Sequence, residues 1–188
     1  MNDLFVHNER LESDYASMKR LTGSVITWQG VPAGNPSQRI YPSIYHVTYN
    51  MLAPTTQGDR RQHTIKVDCS ALDYPMRAPS AAFLSAPIKH PHVFESGNIC
   101  LGGFPLEESL AELCIRLARF WQYDPTLINS NSIASRSFYS WYNSNRQRLP
   151  LDRSPLPQLQ DQVPGGFVVK PQGGMTIKRR SPGNTQNW

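Results

Sequence analysis

Cysteine is scarce in this chain. The three present, Cys69, Cys100 and Cys114, are an odd number at wide spacing, so neither a disulfide framework nor a zinc knuckle can be built from cysteine alone, and at least one thiol is free. Long apolar runs are missing too: nothing approaches the roughly 20 residues that span a bilayer. The polar, acid-containing opening Met1-Asn2-Asp3 has neither the charged nor the apolar region of a secretory signal. A cytoplasmic protein with no membrane partner is therefore expected. Clustered positive charge is nearly absent. The net charge is +5, yet the basic residues are scattered apart from Lys178-Arg179-Arg180, and nucleic acid is not an expected partner.

What is present is ordinary globular material, 39% hydrophobic and 10% aromatic in 188 residues, enough for one domain with a core and an appendage. Leu11, Tyr15 and Met18 recur at helical spacing between Arg10 and Leu21, with Gly23 placed to stop the helix. Strand-like runs follow at Ser24 to Gln29, Tyr45 to Leu52 and His63 to Cys69, where Ile65 and Val67 alternate with polar neighbours. Ala81 to Leu84 can be a last strand, because Pro75, Pro79 and Pro87 keep this region from being helical. After Gly102 and Gly103, residues Leu110, Leu113, Cys114, Leu117 and Trp121 share one helical face, Asp124-Pro125 ends that helix, and Ala134, Phe138, Trp141 and Tyr142 suggest another. Ser130, Asn131 and Ser132 are of the type that caps helices. From Pro150 the composition shifts to Pro, Gly and Gln, which predicts a domain over 1–149 and a basic tail over 150–188, with Phe167, Val168 and Val169 as the expected anchor.

This order gives an α+β domain: an N-terminal helix and C-terminal helices packed on an antiparallel four-stranded meander. Three passages sharpen it: Tyr74-Pro75-Met76-Arg77-Ala78-Pro79, then Ile88-Lys89-His90-Pro91-His92-Val93, then Ser96-Gly97-Asn98-Ile99-Cys100-Leu101. Together they resemble the core signature of the ubiquitin-conjugating enzymes, in which Tyr-Pro and a proline pair precede His-Pro-Asn and then Gly-x-Ile-Cys-Leu with the nucleophilic cysteine. The likeness runs from the first helix to about Arg148. Several ordered motifs at family-like spacing are specific where any one would be weak.

The resemblance implies a UBC-like fold and a cofactor-free carrier. Cys100 would accept a ubiquitin-like protein in thioester linkage from an activating enzyme, then pass it to an amine acceptor or a ligase. A thioester suits this task because it survives water for a time yet yields to another thiol or an amine. The site expected from it is Cys100, His92 and His90, with no metal. One departure is plain: His92 stands where the family has asparagine. A neutral imidazole can donate one N–H to a developing oxyanion and offer its other nitrogen to an incoming proton. This departure, and the short region after Cys100, are more similar to the divergent bacterial relatives associated with ubiquitin-like conjugation and phage defence.

Other readings of the same residues stand beside these. Cys69 and Cys114 read as core residues. His90 reads equally as a structural ring holding the Pro91 turn, and His92 as a loop residue. A zinc site on His90, His92 and Cys100 lacks a fourth ligand. Asn129 to Ser132 lie where the family places a polar residue near the incoming lysine, but serve as well as helix caps. Arg10, Lys19 and Arg20 match the family's surface for the activating enzyme, or form an ordinary solvated face. As a whole, the alternative to a carrier is a catalytically inactive UBC-like module that binds a ubiquitin-like protein or another partner.

Overall fold

The computed structural model describes residues 3–31 and 41–159. A first helix, α1 (Asp3–Arg20), precedes strands β1 (Ile26–Val31), β2 (Ile44–Thr55), β3 (Gly58–Asp68) and β4 (Ser80–Phe83). Helices α2 (Leu110–Trp121) and α3 (Arg136–Asn145) complete the order. The strands form one antiparallel meander in the order β1-β2-β3-β4, the α+β arrangement that the motifs implied. Among the described residues, no helix is long and apolar enough to cross a membrane.

Alternation makes the sheet two-faced. Tyr45, Val47, Tyr49, Ile65 and Val67 are fully buried, while Thr48 and Thr64 pair across the solvent side at 3.0 Å. Side chains on a strand point alternately to its two faces, so one face alone meets the helices. Between β2 and β3 the chain reverses at Gly58, whose φ of 93° lies in the left-handed region that glycine enters without cost.

α1 begins seven residues before the expected Arg10 (10 − 3). Its buried stripe is His7, Leu11, Asp14, Ser17 and Met18, and three of these five are polar. An apolar periodicity cannot register them. His7 Nδ1 meets the Tyr74 carbonyl at 3.2 Å, while Asp14 and Ser17 meet α2, whose start is fully accounted for: Leu110 N–H donates to Asp14 at 2.9 Å, Ala111 N–H to Ser17 Oγ at 3.3 Å, and Glu112 N–H to Ser109 Oγ at 3.3 Å. Glu112 returns a bond to the Ser109 N–H at 2.7 Å, a capping box that satisfies donors no helix can satisfy alone. The stripe expected on α2 is buried as a whole. Tyr49 from β2 reaches it through its hydroxyl, which donates to the Cys114 carbonyl at 3.1 Å.

The expected caps of α3 are corrected. Its N-cap is Ser135, whose side chain accepts from Phe138 N–H, so Ala134 lies before the helix and Ser130 to Ser132 belong to the preceding loop. Residues 151–159, grouped with the tail on composition, run along the domain: Asp152 accepts from Leu52 N–H at 2.9 Å, and the Ser154 carbonyl from Gln122 at 2.8 Å. The expected anchor, Phe167 to Val169, lies outside the described residues.

Candidate active site around Cys100

A tight hairpin positions Cys100. Val93 and Ile99 form an antiparallel bridge, Phe94 N–H donates to the Asn98 carbonyl at 2.8 Å and Gly97 N–H to the Phe94 carbonyl at 2.8 Å. Gly97 turns the chain at φ 90°, a conformation that disfavours any side chain. Cys100 follows directly, its N–H donating to the His92 carbonyl at 2.8 Å. That bond fixes the separation of the two site residues through main chain alone.

Cys100 is the accessible one of three free cysteines; Cys69 and Cys114 are fully buried. Beside its thiol lies a groove of about 220 Å³ that His92, Gly102, Arg116, Asn129 and Ser132 help to line. Arg116, on α2, fastens the chain beyond Cys100. Its guanidinium donates to the Leu101 carbonyl at 2.7 Å and grips Glu108 at 2.6 and 2.7 Å, the two-pronged geometry that makes Arg–carboxylate pairs rigid.

His92 is 4% exposed, and its ring nitrogens divide their work. The Asn129 main-chain N–H donates to Nε2 at 3.0 Å, which assigns the imidazole proton to Nδ1, because an N–H can only be met by a lone pair. Burial pulls the ring's pKa below the usual histidine range, opposed by the nearby Ser132 and Leu127 carbonyls. Those carbonyls favour the ring proton at a distance, but Nδ1 makes no hydrogen bond of proper geometry. The expectation that the second nitrogen would be free to take a proton is therefore corrected: it ties the loop of Asn129 to the site. Pro91 adds a second tie, its carbonyl accepting from Ala134 N–H at 2.9 Å.

His90 is placed behind the groove. Its ring is fully buried, stacks on Phe120 at 5.1 Å, and accepts the His92 N–H on Nδ1 at 3.2 Å. Burial, with a smaller push from His92, drives its pKa well down. It acts by positioning the turn, as in the structural reading of the Pro91 segment. Arg10 also departs from expectation: its side chain is 13% exposed and pairs with buried Asp14 at 3.0 Å, which leaves Lys19 and Arg20 as the exposed basic residues of α1.

These histidines predict a pH response. His90, His92 and His63 all have pKa values lowered mainly by burial, so the unfolded chain binds protons more readily than the folded one. Stability should be full above about pH 6.5, the ordinary histidine value, and fall as the pH drops through their lowered values. Urea midpoints measured from pH 8 to pH 5 check this. A midpoint that stays constant over that range would show that these rings are not held neutral.

The fold and the groove define an α+β domain with a surface-accessible thiol on a rigid hairpin. No protein-family model matches the sequence, and no curated protein matches it. Among solved structures, the chain is similar to a ubiquitin conjugating enzyme E2 of Plasmodium vivax, at 24% identity over 59% of this chain and 97% of that one, with a TM-score of 0.46. It is also similar to human ubiquitin-conjugating enzyme E2 G1, at 19% identity over 55% and 79% of the two chains, with a TM-score of 0.38.

Proposed function

We propose that the protein is a thioester carrier of the ubiquitin-conjugating type. Cys100 Sγ attacks the thioester carbonyl of a ubiquitin-like protein held by its activating enzyme. A new C–S bond forms as the old one breaks, and the activating enzyme's cysteine leaves as thiolate. ATP is consumed upstream, and the carrier needs no cofactor. His92 holds the loop of Asn129 against Cys100 through Nε2; its Nδ1–H is sealed from solvent, so the ring shapes the wall of the groove rather than donating into it. A ligase or acceptor protein then takes the acyl group from Cys100.

The observation that carries this reading is the setting of the three thiols. Two are sealed in the core, and the third stands in a groove beside a neutral imidazole, on the hairpin where the Gly97 to Leu101 motif places it. A groove of about 220 Å³ fits an extended chain terminus and an acceptor side chain, whereas a folded partner must rest on the surface around it. The test is incubation with the activating enzyme, ubiquitin-like protein and ATP, followed by electrophoresis with and without reducing agent. A thiol-sensitive adduct is expected. Its absence, with the activating enzyme demonstrably charged, would leave the domain as a binding module.

A further inference from the structure

Among the described residues, the groove beside Cys100 presents no side chain other than Cys100 itself that is free to take a proton. Besides Cys100 itself, the titratable side chains in its described lining are His92 and Arg116. The lone pair of His92 Nε2 is occupied by the Asn129 N–H, and its other nitrogen already carries the proton. No carboxylate lines the groove among the described residues. Two carboxylates contact lining residues, and both are committed: Glu108 to Arg116 at 2.6 Å, and Asp124 to Arg119 at 2.7 Å and to the Thr126 hydroxyl at 2.7 Å. Hydrogen bonding from Thr126, with help from Arg119, holds Asp124 below the usual carboxylate range, which makes it a poorer base still.

We propose that the groove discharges its acyl group onto thiols rather than lysine amines, so that its acceptor is a cysteine of a partner protein. This rests on the carrier reading above and narrows it. In thiol exchange the acceptor sulfur forms the new C–S bond while Cys100 departs as sulfur. The proton lost by one thiol is gained by the other, between groups of like chemistry, and no base is needed in the groove. A lysine is different. Its ammonium, with a pKa of roughly 10.4, must first shed a proton, and on the order of one amine in a thousand is free near neutral pH. After attack the nitrogen must lose a second proton, and the group placed to receive it is the Cys100 thiolate, which forms only as it leaves and so cannot assist the attack.

Chemical loading makes the test independent of the carried protein. Full-length protein is acylated on Cys100 with a fluorescent glycylglycine thioester, with Cys100→Ala as the background, and desalted. Discharge is then followed at pH 7.5 onto N-acetylcysteine and onto Nα-acetyl-lysine, each rate divided by that of the free glycylglycine thioester with the same acceptor. The cysteine ratio is expected to exceed the lysine ratio at least tenfold; a lysine ratio equal to or above it overturns the proposal. Ser132→Asp places a carboxylate in the lining and should raise the lysine ratio about tenfold. A lysine ratio unmoved by that carboxylate, in a protein that still loads, also overturns the assignment to a missing base. Failure of an activating enzyme to charge Cys100 removes the carrier reading without altering either ratio, so the two failures are distinguishable.

Discussion

Cys100→Ala is expected to abolish the thiol-labile adduct, a loss of at least 100-fold, while Cys69→Ala and Cys114→Ala leave it in place. The asymmetry follows from burial. A thiol reacts as its thiolate, and desolvation opposes the charge. Burial drives the Cys69 thiol far up and pushes Cys114 up to about 12, so neither is ionised near neutrality, and neither can meet a macromolecular thioester. The two core variants instead lose stability, by about 1 kcal/mol each, since each leaves a small void in a packed interior. Cys100→Ser should convert the adduct into an oxygen ester that resists thiol and yields to hydroxide. Intact-mass measurement before and after thiol treatment checks all four variants. An adduct that survives Cys100→Ala would place the chemistry elsewhere and sink the carrier reading.

What the sequence makes legible here is periodic or contiguous. The α2 stripe from Leu110 to Trp121 is visible because apolar residues recur at helical spacing, and all of it is buried. The β3 alternation around Ile65 and Val67 is visible for the matching reason at period two. The hairpin that carries Cys100 is legible because its parts, from His90 to Leu101, are neighbours in the chain. What fails to show depends on pairs far apart. Arg116 reads as one more polar residue on a helix, yet it grips the carbonyl of Leu101, fifteen residues away. Asn129 reads as a loop or cap residue, yet its main-chain N–H selects the tautomer of His92 across 37 positions. Ser130, Asn131, Ser132 and Ser135 are all competent caps by type. Only the path of the chain past Pro91 decides that Ser135 is the one used.

The same distance problem hides Asp14, and Asp14→Ala is expected to cost about 3–5 kcal/mol, the usual range when one partner of a buried charge pair is removed. Its carboxylate is 1% exposed and joins three elements. It accepts the first N–H of α2, from Leu110, at 2.9 Å, the hydroxyl of Tyr74, and the guanidinium of Arg10 at 3.0 Å. Alanine would take this acceptor from the Leu110 N–H and the Tyr74 hydroxyl, and would leave Arg10, held over the Tyr74 and Phe104 rings and by the Leu106 and Glu108 carbonyls, without its counter-charge. Asp14→Asn keeps the shape and one acceptor, and should cost less, about 1–2 kcal/mol. Against a typical total of about 5–15 kcal/mol, the alanine variant should unfold at a much lower urea concentration, and a loss under 1 kcal/mol would show the network to be dispensable. The consequence reaches the groove, because the first turn of α2 that Asp14 secures leads directly into the turn of Arg116, and Arg116 holds the chain beyond Cys100. An Asp14→Asn protein that remains folded should therefore load more slowly than the parent at temperatures where both are fully native, which separates loosening of the Leu101 to Gly103 loop from global unfolding.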